Sequence, residues 1–117
     1  MQLILQSSNL SEYLECSEVI DCINTEIQEI SQNLAQSADN EIEMVRGVYV
    51  FVMDEINHSS DVGETRITYM SSDVLKYKHG LCFAKSHLLA AILRNLNVPT
   101  GFVIKYLNLI QETFCMD

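Results

Sequence analysis

Residues 79–96 read His-Gly-Leu-Cys-Phe-Ala-Lys-Ser-His-Leu-Leu-Ala-Ala-Ile-Leu-Arg-Asn-Leu, a glycine and a cysteine at the mouth of a long apolar run. From Cys82 onward, Phe83, Leu89, Ala90, Ile92, Leu93 and Leu96 spread around much of a helical circumference. That spacing predicts a helix over 82–96, buried on most sides rather than along one stripe. Asn97, Val98 and Pro99 end it, because proline cannot continue a helix and disfavours helical geometry in the residue before it. A thiol on the first turn of such a helix meets the positive end of the macrodipole and unpaired backbone N–H groups, a setting that favours a nucleophilic cysteine. Gly80 is expected to let the chain turn tightly into the helix and leave the sulfur approachable, with the Cys82 N–H placed to meet a developing oxyanion. By residue statistics alone, a cysteine near a helix start is a small buried packing residue, and both readings stand at this point.

Upstream, Tyr13, Leu14, Val19, Ile20, Ile23, Ile27, Ile30 and Leu34 recur at helical spacing. They predict one helix over 10–34, begun near Ser11 and Glu12 and broken by Ser-Ala-Asp-Asn at 37–40. Asp39 or Asn40 then caps a second helix, whose stripe is Ile42, Val45, Val48, Tyr49, Val52, Met53 and Ile56. The β-branched run at 47–52 leans toward strand, but Glu41, Glu43, Arg46, Asp54 and Glu55 around it favour helix. Residues 58–63 form a polar loop ended by Gly63, and 71–78 a short helix capped by Ser71 or Ser72 with Val74 and Leu75 inward. Past Pro99 the pattern predicts a strand over 101–107, a turn near Asn108 and a second strand over 113–117. There are no internal repeats or low-complexity segments.

At 117 residues and 48% hydrophobic, the chain has material for one core, hence a single domain over 1–117 with no linker. A formal net charge of −9 with seven scattered basic residues argues against nucleic acid and anionic membrane surfaces as partners, since both are bound by clustered lysine and arginine. Met1-Gln2-Leu3-Ile4-Leu5 lacks the basic start and apolar length of a secretory signal, and no stretch reaches membrane-spanning length. The expected location is cytoplasmic. Cys16, Cys22, Cys82 and Cys115 show neither C-x-x-C spacing nor a tight disulfide framework, so all four are read as reduced, with Cys16 and Cys22 as packing residues of the first helix. His58, His79 and His87 are not at ligand spacing with cysteines or carboxylates, and neither a metal nor another cofactor is expected.

Ile67-Thr68, Ser71 to Leu75, His79-Gly80-Leu81-Cys82 with the run to Arg94, and Val98-Pro99-Thr100-Gly101-Phe102, taken together, resemble the transglutaminase-like superfamily in its prokaryotic, cysteine-protease-like branch. The likeness extends over residues 40 to 117, with the first forty weakly matched. It implies an α+β fold with a papain- or transglutaminase-like core: a helical N-terminal part, over about 1–80, and a nucleophile helix packed on a short antiparallel sheet. It also implies that Cys82 is the nucleophile of a Cys-His-Asp triad acting on a protein or peptide amide. In the family the catalytic histidine follows a strand resembling Glu112-Thr113-Phe114-Cys115-Met116. Here Asp117 stands at that position and is the last residue.

His79 reads as a solvated turn residue and His58 as an exposed polar one, each a candidate for the substrate side of the site. His87 lies five positions past Cys82, about 140° around the helix, and is read as structural. Lys85 and Ser86 are assigned to helix packing or capping, and Tyr69 and Tyr106 to cleft or core. Two functions follow from the resemblance. One is acyl transfer or amide hydrolysis through a Cys82 thioester. The other is an inactive, truncated or degenerate domain that binds or oligomerises, with a homo-oligomer joined through the C-terminal strands.

Overall fold

In a computed structural model, the described residues are 8–59, 63 and 66–102. They form four α-helices and two minimal strands: α1 (Thr25–Gln36), α2 (Glu41–Glu55), β1 (Asn57–His58), α3 (Ser71–Tyr77), β2 (His79–Gly80) and α4 (Cys82–Asn95). A 3-10 turn at Leu10–Leu14 precedes them. The result is a mostly helical α+β arrangement.

The core is built around α4. Ala84, Leu88, Ala91 and Ile92 of that helix are fully buried, with Ala90 and Leu93 nearly so, as the apolar circumference of 82–96 predicts. Helices α1, α2 and α3 all pack against it. Their contributions are narrower. Helix α2 supplies Val48 and Val52, extended by Ile56 just past its end, at four-residue spacing, which is one line down one helix face. Ile42 and Tyr49, expected in the same stripe, are exposed; at about 100° per residue both fall on one side of that line, about 100–120° around the helix from Val48. Helix α1 contributes Ile27 and the buried Ser31, whose hydroxyl is satisfied by the Ile27 carbonyl at 2.6 Å. Helix α3 contributes Val74 and Leu75.

The single helix expected over 10–34 is two pieces. The first is the 3-10 turn, begun by Asn9, whose side chain accepts from the Ser11 N–H at 3.1 Å. The second is α1, begun by Asn24, whose side-chain oxygen accepts from the N–H groups of Glu26 and Ile27 at 2.9 and 3.2 Å. Between them Ser17 turns its hydroxyl onto the Ile20 N–H at 3.0 Å, a local bond that competes with helix. Cys16 and Cys22 are joined by a disulfide with a Cα–Cα separation of 5.3 Å. This corrects the expectation that both are reduced, and Cys16 is exposed, while Cys22 does pack in the core as expected. Six residues of straight helix would hold the two Cα atoms about 9 Å apart, at 1.5 Å rise per residue, so the bond and a continuous helix exclude each other.

Asn40 caps α2 as expected, accepting from the Glu43 N–H at 2.9 Å. Helix α3 is not capped by Ser71 or Ser72. Met70 occupies its N-cap position with no side-chain bond, and the helix ends at Lys78 in left-handed geometry, φ 60°. No helix among the described residues is long and apolar enough to cross a membrane.

The strands pair in parallel, Asn57 opposite His79 and His58 opposite Gly80. The described sheet is therefore parallel and precedes α4, where an antiparallel sheet following that helix was expected. Gly101 and Phe102 are not in a strand. The remainder of the expected strands at 101–107 and 113–117, with Tyr106, Cys115 and Asp117, lies outside the described residues.

Candidate active site

Cys82 is the first residue of α4 and is partly accessible. Leu81 holds the N-cap position without a side-chain cap bond. The thiol thus stands where the first-turn amides are not claimed by a capping side chain, which is the placement expected from the sequence.

What fixes that placement is the strand pair immediately before it. The Asn57 N–H donates to the Lys78 carbonyl at 3.0 Å and the Ser59 N–H to the Gly80 carbonyl at 3.1 Å, which clamps residues 78–80 to the end of α2. Thr68 adds a second tie, its hydroxyl donating to the His79 carbonyl at 3.0 Å. Gly80 is required for closeness rather than for an unusual turn. A Cβ there would come within 3.1 Å of the Ala84 methyl and 3.3 Å of the Thr68 hydroxyl. Among the described glycines only Gly63 has positive φ. The missing side chain lets β2 lie directly on the first turn of α4.

His79 is not a solvated turn residue. It is 4% exposed, and its Nδ1 lies 2.9 Å from the Ser59 hydroxyl. Strand alternation explains the pair: Asn57 is opposite His79, so Ser59, two residues on, shares that face. Of the polar loop predicted over 58–63, His58 belongs to β1 and Ser59 is bonded to Gly80 of β2, while residues 60–62 lie outside the described residues. His58 is half-buried and lies opposite Gly80, so the structure brings both candidate histidines to the strand pair that delivers Cys82. The hydrogen bond of the His79 Nδ1 is to Ser59 and not to the sulfur.

His87 is structural, as expected. Its Nδ1–H donates to the Tyr69 carbonyl at 2.6 Å, which fixes the tautomer because a carbonyl only accepts. The ring stands edge-on to Phe83 and to Phe102, each at 5.9 Å between centroids. Phe83 and Phe102, which flank this ring, are both exposed, so an apolar shelf lies beside the first turn of α4. Tyr69 is exposed and so not in the core. Lys85 is buried, in keeping with its packing assignment, and the Ser86 hydroxyl donates to the Phe83 carbonyl at 2.6 Å.

The far end of α4 is anchored by Arg94. Its guanidinium donates to the Thr100 carbonyl through Nε at 3.2 Å and Nη2 at 2.8 Å, and to the Glu15 carbonyl through Nη1 at 2.7 Å. Burial lowers the pKa of this group from its ordinary value, with the Glu15 carboxylate acting in the opposite direction; an arginine so placed keeps its charge throughout the neutral range. Ser59, Thr68 and Arg94 were not singled out from sequence. For the first two, no spacing rule links residues 11 and 20 positions away from His79.

A family model described as the transglutaminase-like superfamily matches residues 28–114. That span begins inside α1 and takes in α2 through α4, the whole of the strand pair and the first turn of α4 with Cys82. No curated protein and no solved structure matches the chain.

Proposed function

The chain belongs to the transglutaminase-like superfamily, and from that premise we propose that it carries the nucleophilic half of an acyl-transfer site, with Cys82 as the attacking thiol. The observation that supports this reading is the seat of Cys82: first residue of the central helix, partly accessible, and delivered by a strand pair pressed onto that helix through Gly80. In the reaction the sulfur adds to an amide carbonyl, the C–N bond breaks, the amine leaves with a proton, and a thioester remains. An amine acceptor then gives transamidation and water gives hydrolysis. On this reading the Cys82 N–H, on a first turn without a side-chain cap, serves as a donor to the oxyanion.

The experiment is limiting iodoacetamide followed by peptide mapping. Cys82 is expected to be carboxamidomethylated ahead of Cys115 in the oxidised chain, where Cys16 and Cys22 are bonded to each other. Earlier labelling of Cys115 would remove the nucleophile assignment. The sequence holds no histidine after His87, and a positioned base contributes roughly 10²–10⁴-fold. The purified 117-residue chain should accordingly turn over amides very slowly while still alkylating at Cys82. Robust Cys82-dependent turnover would mean that His58, His79 or a second chain supplies the base.

The second reading, a domain that binds or oligomerises, draws on the exposed Phe83, Phe102 and Tyr69 beside the site. Under this reading a second copy is joined through the C-terminal segment, and the chain acts without turnover.

A further inference from the structure

The loop between Cys16 and Cys22 serves elements far from it in sequence. The Val19 carbonyl accepts from the Ser71 N–H at 2.9 Å and from the Ser71 hydroxyl at 3.3 Å. The Asp21 carboxylate accepts from the Ser72 N–H at 3.0 Å. These acceptors cap α3, which has no side-chain cap of its own at Met70. On the other side, the Asn95 amide at the end of α4 donates to the Cys22 carbonyl at 2.9 Å. The same Ser71 hydroxyl also donates to the His87 carbonyl at 2.7 Å, which ties the start of α3 to the middle of α4.

Helix α3 is the immediate support of the nucleophile turn. It ends at Lys78, whose N–H returns to the Val74 carbonyl and whose own carbonyl holds β1. Cys82 follows four residues later. Disulfide loop, α3, strand pair and Cys82 therefore form one mechanical series.

We propose that the Cys16–Cys22 bond is a redox-operated clamp on the nucleophile turn, an inference that rests on Cys82 being the nucleophile. The two cysteines differ in access, Cys16 being exposed and Cys22 1% exposed. A dithiol donor reaches the Cys16 sulfur: its thiolate attacks there, the S–S bond breaks, and Cys22 leaves as a thiolate that takes up a proton. The donor's second thiol then attacks the mixed disulfide, releasing Cys16 as a thiol and the donor as its own disulfide. Two electrons and two protons pass to the protein, and a disulfide oxidant reverses the step. With the bond open, residues 17–21 are no longer held in a closed loop. Val19 and Asp21 then cease to be fixed acceptors, the first amides of α3 turn to water, and the slack passes through Lys78 to Gly80 and Cys82.

The test compares the full chain oxidised, reduced with dithiothreitol and freed of it, and as the Cys16→Ser/Cys22→Ser variant. Amide hydrogen exchange at Ser71 and Ser72 should be ~10-fold faster in the reduced and doubly substituted forms, with the interior of α2 unchanged, as expected of local rather than global opening. Cys82 alkylation should rise by ~3-fold as its seat loosens. In oxidised protein, Asp21→Ala should speed exchange at Ser72 with the disulfide intact, which isolates the cap from any general loss of stability. Equal α3 exchange in both redox states, or acceleration spread evenly through α2, would overturn the clamp. So would absence of the Cys16–Cys22 linkage from peptide maps of the oxidised chain. If α3 responds to reduction while Cys115 is labelled ahead of Cys82 in the oxidised chain, the clamp on α3 stands and the nucleophile assignment falls.

Discussion

One substitution, glycine to alanine, has opposite consequences at two positions of this chain, and the difference lies in what the added methyl meets. Gly47 is inside α2 and a Cβ there has nothing within 4 Å. Gly47→Ala removes the entropic cost of glycine in a helix and should stabilise by about 0.5–1 kcal/mol. Gly80 lies against Ala84 and Thr68, with contacts of 3.1 and 3.3 Å awaiting a Cβ. Gly80→Ala must push β2 off α4 and should destabilise by about 1–3 kcal/mol. Urea midpoints of the two variants, moving in opposite directions at unchanged slope, would bear out both assignments. A neutral Gly80→Ala would mean that the first turn of α4 is not seated on β2. The position of Cys82 was legible in the sequence because a helix start, a preceding glycine and an apolar run are all local signals. The burial of His79 was not, because its partners Ser59 and Thr68 come from segments that nothing but the tertiary fold brings near.

Among the elements, the three α-helices packed around α4 begin in two ways. Helices α1 and α2 carry their own asparagine caps, Asn24 and Asn40, whereas α3 borrows Val19 and Asp21 from the disulfide loop. Asn24→Ala should cost about 1 kcal/mol, and Asn40→Ala a similar amount, since each leaves first-turn N–H groups with water alone. Thermal melts of both variants would check this. A loss near zero at Asn24 would show that α1 is held by packing of Ile27 and not by its cap. Periodicity placed α2 and α4 to within a residue or two because their apolar positions repeat without interruption. It joined the 3-10 turn to α1 because Val19, Ile20 and Ile23 continue the spacing by coincidence: Ile20 is buried from a loop and Ile23 is exposed. Periodicity reports which residues are apolar, whereas the Ser17 and Asn24 side-chain bonds and the Cys16–Cys22 disulfide tell that the backbone between them is not helical.

For the molecule as a whole, the balance to weigh is apolar exposure against charge. Phe83 and Phe102 flank His87 and are 43% and 48% exposed. The sequence beyond them, Val103, Ile104, Tyr106, Leu107 and Leu109, is largely apolar. Apolar surface of this kind favours association, and a two-fold arrangement would bury the same patch on both copies. A formal charge of −9 per chain opposes it, because two acidic copies repel over the range set by the Debye length. The two effects respond differently to salt: screening weakens the repulsion and leaves apolar burial essentially intact. Sedimentation equilibrium at high micromolar concentration should therefore show a dimer whose association strengthens from ~0.02 M to ~0.5 M sodium chloride, the span over which the Debye length falls well below 10 Å. Association that weakens with salt would assign the contact to ion pairs rather than the aromatic shelf. A strict monomer at both salt concentrations would mean that a single chain covers the shelf itself, and with it the oligomerising reading of the domain would fall.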